Sequence, residues 1–259
     1  MIFDYVQSLS LASLLGLLFI ALVLASEIGH QLGRRFGRPY HRDKDAATLA
    51  TAAFALLALL IAFTYSMALM RYDMRRTVVL EQANALRDAA RVAPLLPNDA
   101  GPPMVNDLRR VADLAIGLGV PYDPKKFDAD VADMTDVSTR LWGHLTATAA
   151  EAPTSLPVYR MTTALQALDD ATERRVTALR NHVPMTVYWI LVGTALVAMA
   201  FAGHGAGSAE TSRRVSAAIM AALLACVITV TLDLQRPDRG TVEIPVTPLL
   251  DAQRALAPR

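Results

Sequence analysis

An all-α integral membrane protein is the fold class this sequence predicts, and three observations lead to it. The first is composition: of 259 residues, 53% are hydrophobic and only 19% charged, with a mean hydropathy of +0.32, whereas an average soluble domain is nearer a quarter charged. The second is a set of apolar runs at 8–26, 46–70, 185–202 and 215–232, each long enough to cross a bilayer as a helix. The third is that the second run does not stop where the membrane would. Neither Gly nor Pro interrupts the chain from Ala46 to Ala93, so one unbroken helix roughly 70 Å long is expected, more than twice the ~30 Å hydrocarbon core. The prediction is four transmembrane helices, a helical extramembrane subdomain between the second and third, and a second helix that continues as a long stalk. Residues 1–70, 71–184, 185–234 and 235–259 are the expected divisions.

The first run, Ser8 to Ser26, follows MIFDYVQ, which has an Asp and no Lys or Arg. A secretory signal needs a positive n-region, so a retained transmembrane helix is expected. Glu27 and His30 follow on one helix face. An E-x-x-H pair can serve a metal in a bundle, but only with further carboxylates and a second copy of the pair, so interfacial residues ending the span are expected instead. Arg34, Arg35, Arg38, Arg42 and Lys44 crowd the next loop, with Gly33, Gly37 and Pro39 as its helix breakers. This basic loop points to the cytoplasm and places residues 71–184 outside it, in an inner-membrane, multi-pass arrangement. Arg71, Arg75, Arg76, Arg87, Arg174, Arg175 and Arg180 flank the other side and carry the opposite signal.

Beyond Met70 the long helix becomes one-sided, with Val79, Ala83, Leu86, Ala90 and Ala93 at alternating spacings of four and three. That is the seam of a paired helix. Its expected antiparallel partner is Val158 to Val183, where Val158, Met161, Leu165, Leu168, Thr172, Val176, Leu179 and Val183 repeat a similar spacing. Between them the sequence predicts a loop at 94–103, a short amphipathic helix from Met104 to Leu118, a loop at 119–124, and a helix from Phe127 to Ala150. The buried stripe of that last helix is Val131, Met134, Val137, Leu141 and Leu145. A subdomain of about 110 residues can bury its own core. Pro184 suits the first turn of the third span. GHGAGSAETSRR, residues 203–214, reads as a flexible turn, since it lacks the Lys-Ser/Thr ending and preceding strand of a phosphate loop. The fourth span is rich in Ala, which suits close packing in lipid. The tail offers a short extended stretch, TVEIPV, and a final helical turn or two.

The balance of charge, formally +1, points to neither nucleic acid nor acidic substrates. Cys226 is the sole cysteine, so an intrachain disulfide is excluded and a small packing residue is expected. H-E-x-x-H, G-x-S-x-G, C-x-x-C and Walker patterns are all missing, and the histidines are too scattered for ligand spacing. The sequence therefore predicts no catalytic residue, metal site or cofactor.

The informative cluster lies where the second and fourth spans leave the bilayer on a shared side: Arg71, Asp73, Arg75, Arg76, Glu81 and Asn84 on the long helix, with Asp233, Arg236, Asp238 and Arg239 after the fourth span. Charges of both signs there can pair across helices, anchor the chain at headgroups, or ring a pore mouth. Tyr65 and Ser66 are the polar exceptions in the second span. They can hydrogen bond a neighbouring helix or line a pathway.

These residues resemble the bestrophin-like family of bacterial integral membrane proteins, catalogued as a domain of unknown function. The family pattern, an A-F-x-x-S segment, R-x-D-x-R-R, a Glu, an Asn and a late D-L-D-R-P-x-x-G, falls on Ala62, Phe63, Ser66, Arg71, Asp73, Arg75, Arg76, Glu81, Asn84, Asp233, Leu234, Arg236, Pro237 and Gly240. Gln235 departs from the second Asp of the late motif, which weakens a cation site there. Bestrophins are pentameric, chiefly chloride-conducting channels whose second span lines a hydrophobic neck. The resemblance implies a homo-oligomeric anion channel in the lipid bilayer, with Phe63, Tyr65 and Ser66 as neck candidates. It carries over no calcium clasp. The alternative is a non-conducting scaffold or sensor whose helical subdomain binds a partner.

Overall fold

The computed structural model describes residues 10–36, 42–119, 123–181, 183–208, 214–234 and 244–256. Every regular element among them is helical: α1 (Leu11–Phe36), α2 (Arg42–Val92), a 3-10 turn (Ala93–Leu95), α3 (Gly101–Gly117), α4 (Pro124–Glu151), α5 (Leu156–Arg180), α6 (Met185–Ser208), α7 (Arg214–Asp233) and α8 (Thr247–Ala255). Windows of 18 residues apolar enough to cross a membrane fall within Leu11–Arg35, Thr48–Leu95, Leu156–Gly207 and Arg214–Asp233. The chain is a multi-pass membrane protein. It divides into two compact units, Met1–Met70 with Val183–Arg236, and Arg71–His182 with Pro237–Arg259. Helix α2 belongs to both. Its 51 residues make it about 77 Å long.

In the first unit, Leu14, Leu18 and Leu22 repeat at helical spacing along α1 and pack with Leu57 of α2, with Tyr188, Leu191, Ala195, Ala198 and Met199 of α6, and with Ala221, Ala225 and Ile228 of α7. The closest approach is between α1 and α6. A Cβ on Gly29 would overlap the Ala200 carbonyl, one on Gly203 the Ser26 carbonyl, and one on Gly207 the His30 carbonyl. As first and third spans with one crossing between them, α1 and α6 run parallel, and they touch where residues 26–30 of one meet residues 200–207 of the other.

This packing overturns two expectations. Gly33 does not break α1, which continues to Phe36, and Gly203, Gly205 and Gly207 are helical residues of α6, not a turn. Gly203 and Gly207 serve as the flat surface that lets two helix backbones touch, and a helix tolerates glycine when tertiary contact outweighs its propensity cost of roughly 1 kcal/mol. Glu27, expected at the end of a span, lies inside α1 and pairs with Arg214 at 3.2 Å. Cys226, expected to pack, is exposed, one residue past the buried Ala225. Gly37, Arg38, Pro39 and Arg213 lie outside the described residues.

In the second unit the expected seams are observed. Val79, Ala83, Leu86, Ala90 and Ala93 are buried together with Val158, Met161, Leu165, Leu168 and Leu179, and with Met134, Val137, Leu141 and Leu145 of α4. Asp123 caps α4 through Lys125 N at 2.9 Å, with Pro124 opening the helix. Helix α3 starts at Gly101, earlier than expected, because Pro102 and Pro103 occupy its first turn, where a missing N–H costs little. The preceding turn is made by Asn98 and Asp99, both with positive φ, a conformation these side chains tolerate. The tail is more than a stray turn. Leu249, Ala252 and Leu256 of α8 join the core, the Arg109 guanidinium donates to the Leu256 carbonyl at 2.6 Å, and Gln253 donates to Asp113 at 2.6 Å. Of the extended stretch TVEIPV, the first three residues lie outside the described residues.

Candidate functional site

Helix α2 has two unlike faces. One buries Ala50, Leu57, Thr64 and Ala68 in the span, then Arg75, Val79, Gln82 and Leu86 beyond it. The opposite face forms a stripe at steps of three or four: Leu56, Leu59, Phe63, Ser66, Met70, Asp73, Thr77, Glu81, Asn84 and Asp88, every one of them exposed. The stripe is apolar up to Met70, apart from Ser66, and polar or acidic afterwards. A repeat of this period keeps one face of a helix turned toward a common axis over many turns.

The expected site residues divide between these faces. Phe63, 63% exposed, and Ser66 share the stripe, whereas Tyr65, 41% exposed, lies on a different face. Asp73, Glu81 and Asn84 are on the stripe. Glu81 is paired with Arg174 at 3.1 Å, and Asn84 accepts from Arg87. Arg71 is half-buried and Arg76 exposed, but both are off the stripe. Arg75 is buried on the opposite face of α2, and Asp233 is buried at the end of α7. Arg236 and Arg239 lie outside the described residues, as do Gln235, Pro237, Asp238 and Gly240.

Sequence reasoning missed a buried polar group inside the seam. Arg175, only 3% exposed, donates from Nη1 to Gln82 Oε1 at 2.6 Å, and Gln82 Nε2 donates to Thr172 Oγ1 at 2.9 Å. Burial lowers the Arg175 pKa to about 10, so the group remains a cation at neutral pH. Neither residue belongs to the spaced seams read from the sequence; each sits next to a seam position, Gln82 beside Ala83 and Arg175 beside Val176. Arg75, Arg175, Val79 and Leu179 line a cavity of about 30 Å³ with the Leu118–Gly119 turn and with Ile244 and Val246. A larger groove of about 490 Å³ runs along α4 and α5. In it the Asp169 carboxylate accepts from Ser138 Oγ at 2.7 Å and Trp142 Nε1 at 2.6 Å.

The described geometry is that of a polytopic helical membrane protein with one long helix bearing an exposed stripe. A family model, the Bestrophin-like domain, matches residues 18–249. The chain belongs to the bestrophin-like family. Among solved structures it is similar to mutant forms of a bacterial bestrophin homolog from Klebsiella pneumoniae. One has a TM-score of 0.70 at 16% identity, covering 95% of this chain and 97% of that one, and another also has 0.70 at 16% identity, covering 93% and 96%. A mutant structure described only as a membrane protein has a TM-score of 0.69 at 16% identity, covering 95% and 97%. No curated protein matches the sequence.

Proposed function

We propose that the chain is the subunit of a homo-oligomeric ion channel in which copies of α2 surround a common axis and the exposed stripe faces the pathway. One observation carries this reading: the stripe is uninterrupted along the long helix, apolar within the span apart from Ser66 and polar or acidic beyond it. Phe63 is the large side chain of its apolar part and the proposed constriction. Among the described residues, Leu57 is the one fully buried α2 member of the first unit's cluster, with Ala53, Phe54, Leu60, Ile61 and Met67 partly buried against it, so the second span leaves much of its surface for partners or lipid. Family membership supports the same reading. We assign the chain no catalytic role.

Ion sign follows from which charges share the stripe. Asp73, Glu81 and Asp88 lie on it, Glu81 paired with Arg174 and Asp88 with Arg91, whereas Arg71, Arg75 and Arg76 do not, so Asp73 is the charge that favours cations over the anions suggested by the arginine-rich motif. The deciding experiment is reconstitution in planar bilayers with a KCl gradient. A reversal potential near that of potassium supports cation selectivity, one near that of chloride restores the anion reading, and an absence of conductance removes the channel.

The second reading, a scaffold whose helical unit binds a partner, draws on the exposure of Leu95, Leu156 and Tyr159. A monomer in detergent that captures no current would favour it. The side of the membrane rests on charge: the short basic loop after α1 supports an inner-membrane protein with residues 71–184 on the extracytoplasmic side. A single cysteine at Glu151, in a Cys226→Ala background, should then react with impermeant maleimide on intact cells. Protection of that cysteine would move the unit to the cytoplasm.

A further inference from the structure

Arg175 is a charge without a counter-charge among the described residues. Its neighbours on α5 find carboxylates at the surface, Arg174 with Glu81 at 3.1 Å and Arg180 with Asp128 at 3.1 Å. Arg175 instead reaches the neutral amide of Gln82, and its buried Nε has no acceptor. An ionised group removed from water is strongly destabilising unless paired. The pKa of about 10 shows that deprotonation does not relieve the problem at neutral pH. No carboxylate among the described residues balances the charge.

The group opens onto the cavity of about 30 Å³, the space of a single water or halide and too small for a phosphate or an organic acid. A second guanidinium, Arg75, also 3% exposed, lines that cavity, and its other walls among the described residues are Val78, Val79, Leu118, Gly119, Leu179, Ile244 and Val246. The Arg175 guanidinium, with a buried Nε that has no acceptor, in largely apolar walls favours an anion that sheds water easily. We propose that this cavity binds one small monovalent inorganic anion of halide size, held by the Arg175 guanidinium, as a structural counter-ion of the helical unit. The site is distinct from the stripe on α2, because Arg75 and Gln82 occupy the opposite face. It stands whichever ion the channel conducts.

The test is thermal unfolding of the detergent-purified full-length protein at constant ionic strength while chloride replaces gluconate. The midpoint should rise saturably by roughly 5 °C, bromide should act like chloride, and Arg175→Met should abolish the rise. An unchanged midpoint, meaning that the chain's own carboxylates balance Arg175, overturns the proposal. So does an equal rise in the variant, which would be a general salt effect. Should Arg175→Met fail to fold, anomalous scattering from crystals of the unmodified protein grown in bromide decides the matter. A peak beside Arg175 Nε supports the site, and its absence there overturns it. Flux is not among these readouts, so failure here leaves the channel reading untouched.

Discussion

Gln82 shows how one side chain can hold two helices to a single register. It accepts from Arg175 at 2.6 Å and donates to Thr172 at 2.9 Å, joining α2 to α5 inside an otherwise apolar seam. Removing it strands both partners, and a buried donor without an acceptor costs about 1–3 kcal/mol, more when charged. Gln82→Leu should therefore destabilise the protein by roughly 3 kcal/mol, whereas Gln82→Leu with Arg175→Met, which removes both polar ends, should recover part of that loss. A double-mutant cycle in urea measures the coupling. Purely additive losses would mean that the two residues act independently. At Phe63 the stake is conduction: Phe63→Ala should raise unitary conductance several-fold if this ring narrows the path. Unchanged conductance would place the constriction elsewhere.

At the scale of elements, glycines in α6 separate by what they touch. Gly203 abuts the Ser26 carbonyl, whereas a Cβ at Gly205 meets nothing within 4 Å. Gly205→Ala should stabilise the helix by up to about 1 kcal/mol through propensity alone. Gly203→Ala should destabilise by about 2 kcal/mol or more, because backbone must move to admit the methyl group. Equal effects on the thermal midpoint would show that α1 and α6 do not touch there. The extramembrane seam makes a similar contrast. Leu86→Ala, at 0% exposure, should cost about 2–5 kcal/mol. Leu80→Ala on the same helix, at 47%, should stay within about 0.5 kcal/mol.

For the whole molecule, the prediction concerns assembly. A stripe that faces a common axis requires several copies, so native mass spectrometry of the detergent-purified protein should find a ring of three or more subunits. A strict monomer has too few helices for a central pathway and would end the channel reading before any electrical recording.

The number of spans, the length of α2 and the seams of the helical unit were all legible in the chain alone, because hydropathy and periodicity are local properties that survive without knowledge of partners. Val79, Leu86, Met161 and Leu165 could be assigned to a core from spacing alone. What lay beyond local pattern was decided by neighbours far away in sequence. Gly203 reads as a turn until α1 is placed against it. Arg175 reads as one more surface charge on a basic helix until Gln82, 93 positions earlier, meets it inside the seam, and the tail reads as a loose end until Arg109 takes the carbonyl of Leu256. Helical spacing states which residues share a face. Only packing determines whether that face meets another backbone, a buried charge or a second copy of the chain.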